Sequence, residues 1–172
     1  HNTITPDGFA LVVCHEVGHH IGGAPKKGSW SSAWASNEGQ SDYFATLKCL
    51  RKVFQNDNNK AIVANLNVPA SVTAICAKQF NNAEEQAVCA RGSMAGMSTA
   101  RLFQELRKQP DAPKFTTPSA KVVKKTDHNH PETQCRLDTY FAAALCDKDM
   151  NDEVSAKDPN KGTLASNNKN KP

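Results

Sequence analysis

The chain has 172 residues, 38% of them hydrophobic and 6% aromatic, with a formal net charge of +4. That length suits one domain with its own core, and no apolar run approaches the roughly 20 residues of a membrane-spanning helix. The one compact basic run, Lys121-Val122-Val123-Lys124-Lys125, reads as solvated surface, and nothing interleaves stacking aromatics with arginines, so nucleic-acid binding is not expected.

The chain opens at His1-Asn2-Thr3-Ile4 with no initiator Met and no signal peptide, and is read as a fragment or a processed product. Thr5-Pro6-Asp7 is a helix start, with Thr5 as N-cap, Pro6 at the first helical position and an acid in the first turn. Phe9, Leu11, Val12, Val13 and Val17 make this helix apolar on most sides and predict that it is buried. Gly22-Gly23 and Pro25 end it. Inside it lies Cys14-His15-Glu16-Val17-Gly18-His19-His20. It contains His-Glu-x-x-His, the pattern in which one helix offers two imidazoles to a zinc ion and a carboxylate to the water beside it. Residues four apart lie about 40° apart around a helix axis, so His15 and His19 face one point. Glu16 is the candidate general base. His20 points about 100° away from His19 and reads as a supporting or surface histidine.

A catalytic zinc takes a third protein ligand and keeps one position open for water. The metzincin extension wants Gly three and His or Asp six residues after the second His. Gly22 fits the first place, but Pro25 occupies the second and has no ligand atom. After a loop over Lys26 to Ala35, with Trp30 and Trp34 read as core cover, a second helix is predicted from about Ser32 or Ser36 to Phe54. It carries Asn37-Glu38-Gly39-Gln40-Ser41-Asp42-Tyr43-Phe44, with Glu38 and Asp42 on one face. This resembles the gluzincins, the thermolysin-like zinc peptidases, whose third ligand lies in an Asn-Glu-x-x-x-Asp-x-Phe context at a similar distance. The resemblance, which covers about residues 5 to 46, implies one Zn2+ per chain held by His15, His19 and Glu38. Asp42 would then accept the other ring N–H of a ligand histidine. It also implies a β-sheet ahead of the zinc helix, whose edge strand pairs with substrate. Only residues 1 to 4 precede Thr5, so that strand is expected to be missing or shortened to residues 1 to 4.

Further on, a short helix is predicted over Lys60 to Leu66, and another from Pro69 to Phe80 with Val72, Ile75 and Cys76 inward. A third runs from the Asn81-Asn82 cap through Val88 and Cys89 to Arg91-Gly92. Ser93 to Leu106 is a separate or bent helix, broken near Gly96, with Met94 and Met97 in the core. Gln109 to Pro118 is irregular. Thr126-Asp127-His128-Asn129-His130-Pro131 then opens a final helix through Arg136, Tyr140, Phe141 and Leu145 to Cys146. The His130-Pro131…Arg136 element resembles that of gluzincins related to the CaaX prenyl proteases and their soluble periplasmic relatives. It implies His130 as a second catalytic group that stabilises the oxyanion, and Arg136 as a substrate or structural anchor. The alternative is a helix-capping His-Pro with Arg136 in a salt bridge. From Asp147 the hydrophobics almost vanish. The expected organisation is a metallopeptidase domain over 1–147 and a low-complexity, Asn/Lys-rich tail over 148–172, disordered from Lys157 to Pro172.

Six cysteines, none in a Cys-x-x-Cys pair, point to an oxidising compartment, periplasmic or secreted. Cys14 adjoins the first ligand, and Cys49 falls on nearly the same face as Asp42, so a Cys14–Cys49 bridge between the two ligand helices is expected. Cys135 and Cys146 are about 16 Å apart along one predicted helix, too far for a bridge whose Cα atoms must lie within about 7 Å. Pairing with Cys76 and Cys89 is expected instead. The sequence therefore predicts a mainly α, zincin-like domain built on two ligand helices. It would hydrolyse protein or peptide substrates by a metal-activated water, with Glu16 as base. The competing reading is a zinc-stabilised binding or scaffold domain without catalysis. The intact Glu16 argues against it, because a structural site has no use for that carboxylate.

Overall fold

The computed structural model describes residues 3–27, 34–121, 128–158 and 161. Its elements run α1 (Pro6–Ile21), β1 (Lys26–Lys27), β2 (Ala35–Ser36), α2 (Glu38–Phe44), a π-helical segment (Ala45–Leu50), α3 (Arg51–Phe54), α4 (Asn59–Ala64), α5 (Ala70–Gln79), α6 (Ala83–Leu106) and α7 (Thr133–Ala144). The fold is mainly α with a small β element. Its two strands form an antiparallel ladder with Lys26 opposite Ser36 and Lys27 opposite Ala35, inside the stretch expected to be a loop. No N-terminal strand is found among the described residues, and residues 1 and 2 lie outside them.

α6 is the spine of the fold, 24 residues long, and α1, α4, α5 and α7 pack on it. Asn82 caps it, accepting from the Glu84 N–H at 2.7 Å, and Glu84 and Glu85 suit the positive end of the helix. The expected break at Gly92–Gly96 does not occur. The reason is packing. A Cβ on Gly96 would meet the Tyr140 Cβ of α7 at 2.7 Å, and one on Gly8 of α1 would meet Ser98 Oγ at 2.6 Å. A glycine inside a helix costs about 1 kcal/mol against alanine, and the close approach of α1 and α7 to α6 offsets it.

The main core joins α1, the π segment, α3, α6 and α7 through Leu11, Cys14, Ala45, Leu50, Phe54, Ala95 and Tyr140. A second cluster, with Val72, Cys76, Phe80 and Cys89, lies between α5 and α6. Contrary to the all-round apolar pattern, α1 is buried on one side only. Phe9, Val13, Val17 and Ile21 are 61, 49, 39 and 57% exposed. They recur every fourth residue and form one outward stripe, while Leu11, Cys14 and His15 face inward. Ile75, expected inward, also points outward, whereas Val72 and Cys76 are buried.

The Cys14–Cys49 bridge forms, with Cα atoms 5.6 Å apart, and ties α1 to the π segment. The other expected pairing is corrected. Cys76 bonds Cys89 across the α5–α6 turn, with Cα atoms 5.9 Å apart, and Cys135 and Cys146 remain thiols. The turn brings α5 back along α6, so two cysteines only 13 residues apart meet face to face. Cys135 sits on α7, and Cys146 lies just past its end, buried with Tyr43 and Leu47.

Residues 147–158 fold back against the turn after α1, the π segment and α3. Buried Lys48 donates to the carbonyls of Asp149 and Asp152 at 2.6 and 2.8 Å. Arg51 donates to those of Ala144, Cys146 and Lys148, and the Ala24 N–H donates to Ser155 at 2.8 Å. Composition carries no sign of this, since main-chain carbonyls make the contacts. The basic run at 122–125, Trp30, Thr126, Asp127 and most of the tail beyond 158 lie outside the described residues.

Candidate metal centre

Each ligand-bearing helix is started by its own side chains. Thr5 caps α1, accepting from the Gly8 N–H at 3.1 Å. Asp7 in the first turn takes a two-pronged contact from Arg91 of α6, at 2.8 and 2.9 Å. Gly22 closes the helix, and Gly23, at φ +86°, turns the chain in a conformation that favours glycine. The chain then runs through β1 and returns through β2 to Asn37, which caps α2 by accepting from the Gln40 N–H at 2.8 Å. Glu38 is thus the first residue of α2, directly opposite the histidine face of α1. Gly18 allows this closeness, since a Cβ there would lie 3.0 Å from the Ser41 backbone.

The donor atoms of His15, His19 and Glu38 all lie within 4.8 Å of one another. His15 Nε2 is 3.2 Å and His19 Nε2 is 3.6 Å from Glu38 Oε2. Ligands about 2.0–2.1 Å from a tetrahedral zinc stand about 3.3 Å apart, and these two distances are compatible with that spacing. The orphaned atom agrees. Glu38 Oε2 is buried and has no hydrogen-bond partner, a condition that costs about 1–3 kcal/mol or more when nothing compensates it. A cation among the three donors would compensate it.

The supporting contacts fix how the imidazoles present themselves. His15 Nδ1 lies 2.7 Å from Asp42 Oδ1, and His19 Nδ1 lies 2.8 Å from the Ser36 carbonyl and 3.0 Å from Ser41 Oγ. A carboxylate and a carbonyl can only accept, so each Nδ1 carries a proton, and each Nε2 is the ring nitrogen that faces Glu38. The donor set fits a metal, and zinc is one that takes such a set.

Asp42 is fully buried beneath His15. Arg136 donates to it from Nε at 2.9 Å and from a terminal nitrogen at 2.5 Å, and the Tyr140 hydroxyl donates at 2.8 Å. Burial alone would raise its pKa. The His15 hydrogen bond and the Arg136 charge outweigh that and hold the carboxyl below its ordinary range. Arg136 itself is 3% exposed and stacks on Phe103 with 4.2 Å to the ring centroid. Its hydrogen bonds to Asp42 match the salt bridge that the sequence left open for it.

Glu16 is exposed on the turn of α1 that carries His15. His130 Nε2 comes within 3.4 Å of Glu38 Oε2 from a 63% exposed side chain, outside the three-donor group. The helix after it starts at Thr133, with Glu132 at the cap, so Pro131 precedes the helix rather than opening it. His20 is exposed, with its ring centroid 5.0 Å from that of Trp34, and Trp34 is 63% exposed rather than core cover. Three contributors escaped the sequence reading. Ser36 acts through a carbonyl, which no side-chain pattern reveals. Lys27, with Nζ 4.0 Å from Glu38 Oε1, arrives through the β1–β2 pairing. Tyr140 was readable, since it stands four residues after Arg136 on the same helical face. Compared with known proteins, the chain matches no family model, no curated protein and no solved structure.

Proposed function

We propose that the chain is a zinc-dependent peptidase of gluzincin type, acting in an extracytoplasmic compartment. The observation that carries the reading is the buried, unpartnered Glu38 Oε2 beside two imidazole Nε2 atoms whose Nδ1 protons are already engaged. Zinc bound by His15, His19 and Glu38 would supply a Lewis acid for the peptide carbonyl and lower the pKa of a bound water toward about 7. Glu16 is the general base. Its carboxylate takes a proton from the attacking water and passes it to the leaving amine. His130 donates from its ring to the developing oxyanion. The two disulfides support the compartment.

One observation favours a second reading, a zinc-stabilised scaffold without catalysis. Structural zinc sites close all four positions with protein ligands, and His130 Nε2, 3.4 Å from Glu38 Oε2, stands near enough to turn in. Elemental analysis of protein purified without chelators tests both. The peptidase reading expects one zinc per chain in the wild type and less in Glu38→Gln. It also expects Glu16→Gln to keep zinc but lose hydrolysis of a peptide library, and His130→Ala to keep zinc. Zinc loss in His130→Ala favours the scaffold. A folded, zinc-free wild type ends both readings.

A further inference from the structure

Asp42 Oδ1 gathers three donors: His15 Nδ1 at 2.7 Å, a terminal nitrogen of Arg136 at 2.5 Å and the Tyr140 hydroxyl at 2.8 Å. Oδ2 takes Arg136 Nε at 2.9 Å. Tyr140 is 1% exposed in the main core, where a phenylalanine would fill the same space. What the hydroxyl adds is its hydrogen bond to Asp42. Its depth is set from the other side by Gly96, where any Cβ would stand 2.7 Å from the Tyr140 Cβ and press α7 away from α6.

We infer that Tyr140 is a positioning residue for the metal ligand His15, acting through Asp42, and that Gly96 is the packing position that lets its hydroxyl arrive. The inference rests on the metal-site reading above. Arg136 grips both carboxylate oxygens and would draw Asp42 toward itself. Its terminal nitrogen also stands 3.3 Å from His15 Nδ1, so two N–H donors lie side by side and both rely on Asp42 Oδ1 as acceptor. The Tyr140 hydroxyl holds Oδ1 on the His15 side and keeps the Nδ1–H directed at a carboxylate. Outer partners of this kind alter metal affinity by about 10–100-fold.

The test uses the full chain, with zinc affinity measured by chelator competition and visible absorption measured on the cobalt-loaded protein. Tyr140→Phe is expected to bind zinc about tenfold more weakly and to shift the cobalt bands, while the metal-free protein still unfolds cooperatively. In an Asp42→Asn background the same substitution is expected to cause no further loss, an interaction that a purely packing role would not produce. Gly96→Ala keeps the hydroxyl but displaces it, and is expected to weaken zinc binding in the same direction. Wild-type affinity and an unchanged cobalt spectrum in Tyr140→Phe would overturn the inference and leave the metal site standing. So would losses that simply add in the Asp42→Asn background. Unchanged affinity in Gly96→Ala overturns the packing half. A wild type that takes up neither zinc nor cobalt removes the metal site and the inference with it.

Discussion

Replacing Arg136 with Met isolates what the buried ion pair does for the fold. Arg136 is 3% exposed and Asp42 fully buried, and two hydrogen bonds join them. Met keeps much of the side-chain volume over Phe103 but leaves the Asp42 charge with only His15 and Tyr140. Removing one partner of a buried pair costs about 3–5 kcal/mol, most of it the uncompensated charge. Against a total stability of about 5–15 kcal/mol, that is a large share. At about 2–4 °C per kcal/mol for a chain of this size, the melting temperature should fall by about 6–20 °C. Urea unfolding of metal-free protein with its disulfides intact measures the free energy, and calorimetry measures the melting temperature. The double variant Asp42→Leu with Arg136→Met should recover only part of the loss, because it removes the stranded charge but leaves the buried Tyr140 hydroxyl and His15 Nδ1–H without an acceptor. A loss below about 1 kcal/mol in Arg136→Met, the value of an exposed pair, would refute the picture of a dry, mutually dependent pair.

Two further outcomes are open to direct measurement. Tyr43 and Tyr140 are the only tyrosines. Burial, with the Cys146 contact, raises the first, and burial beside the Asp42 charge raises the second. A raised phenol favours the fold fully below its ordinary pKa of about 10 and loses that contribution as pH climbs beyond it. Alkaline titration followed by phenolate absorbance should therefore show no tyrosine ionising near pH 10 while the circular dichroism stays native. A phenolate step there with intact dichroism contradicts the burial of at least one ring. Peptide mapping under non-reducing conditions should recover the 14–49 and 76–89 bridges and two thiols. Of these, half-buried Cys135 should react with maleimide before Cys146, which has no exposed surface. A bridge from Cys135 or Cys146 to Cys76 or Cys89 would overturn the α5–α6 connection.

The sequence by itself determined the local matters. Thr5, Pro6 and Asp7 start α1 because they satisfy free amide groups and preset the backbone, and four-residue spacing puts His15 with His19 and Glu38 with Asp42 on common faces. Those are statements about one helix at a time, and spacing alone suffices. The Cys14–Cys49 bridge was legible for the same reason, since Cys14 adjoins His15 and Cys49 lies on nearly the same face as Asp42. Tertiary structure decided everything that depends on what a helix meets. Gly96 reads locally as a break, yet the approach of Tyr140 makes it a contact inside an unbroken α6. The apolar faces of α1 look alike in sequence, and only the placing of α6 and the π segment selects which is buried and which carries Phe9, Val13, Val17 and Ile21 outward. Cys76 met Cys89 because of a turn whose direction composition does not encode. Arg136 could have served substrate or scaffold as far as spacing goes. Burial against a carboxylate on α2, 94 residues earlier in the chain, assigned it to Asp42, because a charge without water must find its counter-charge.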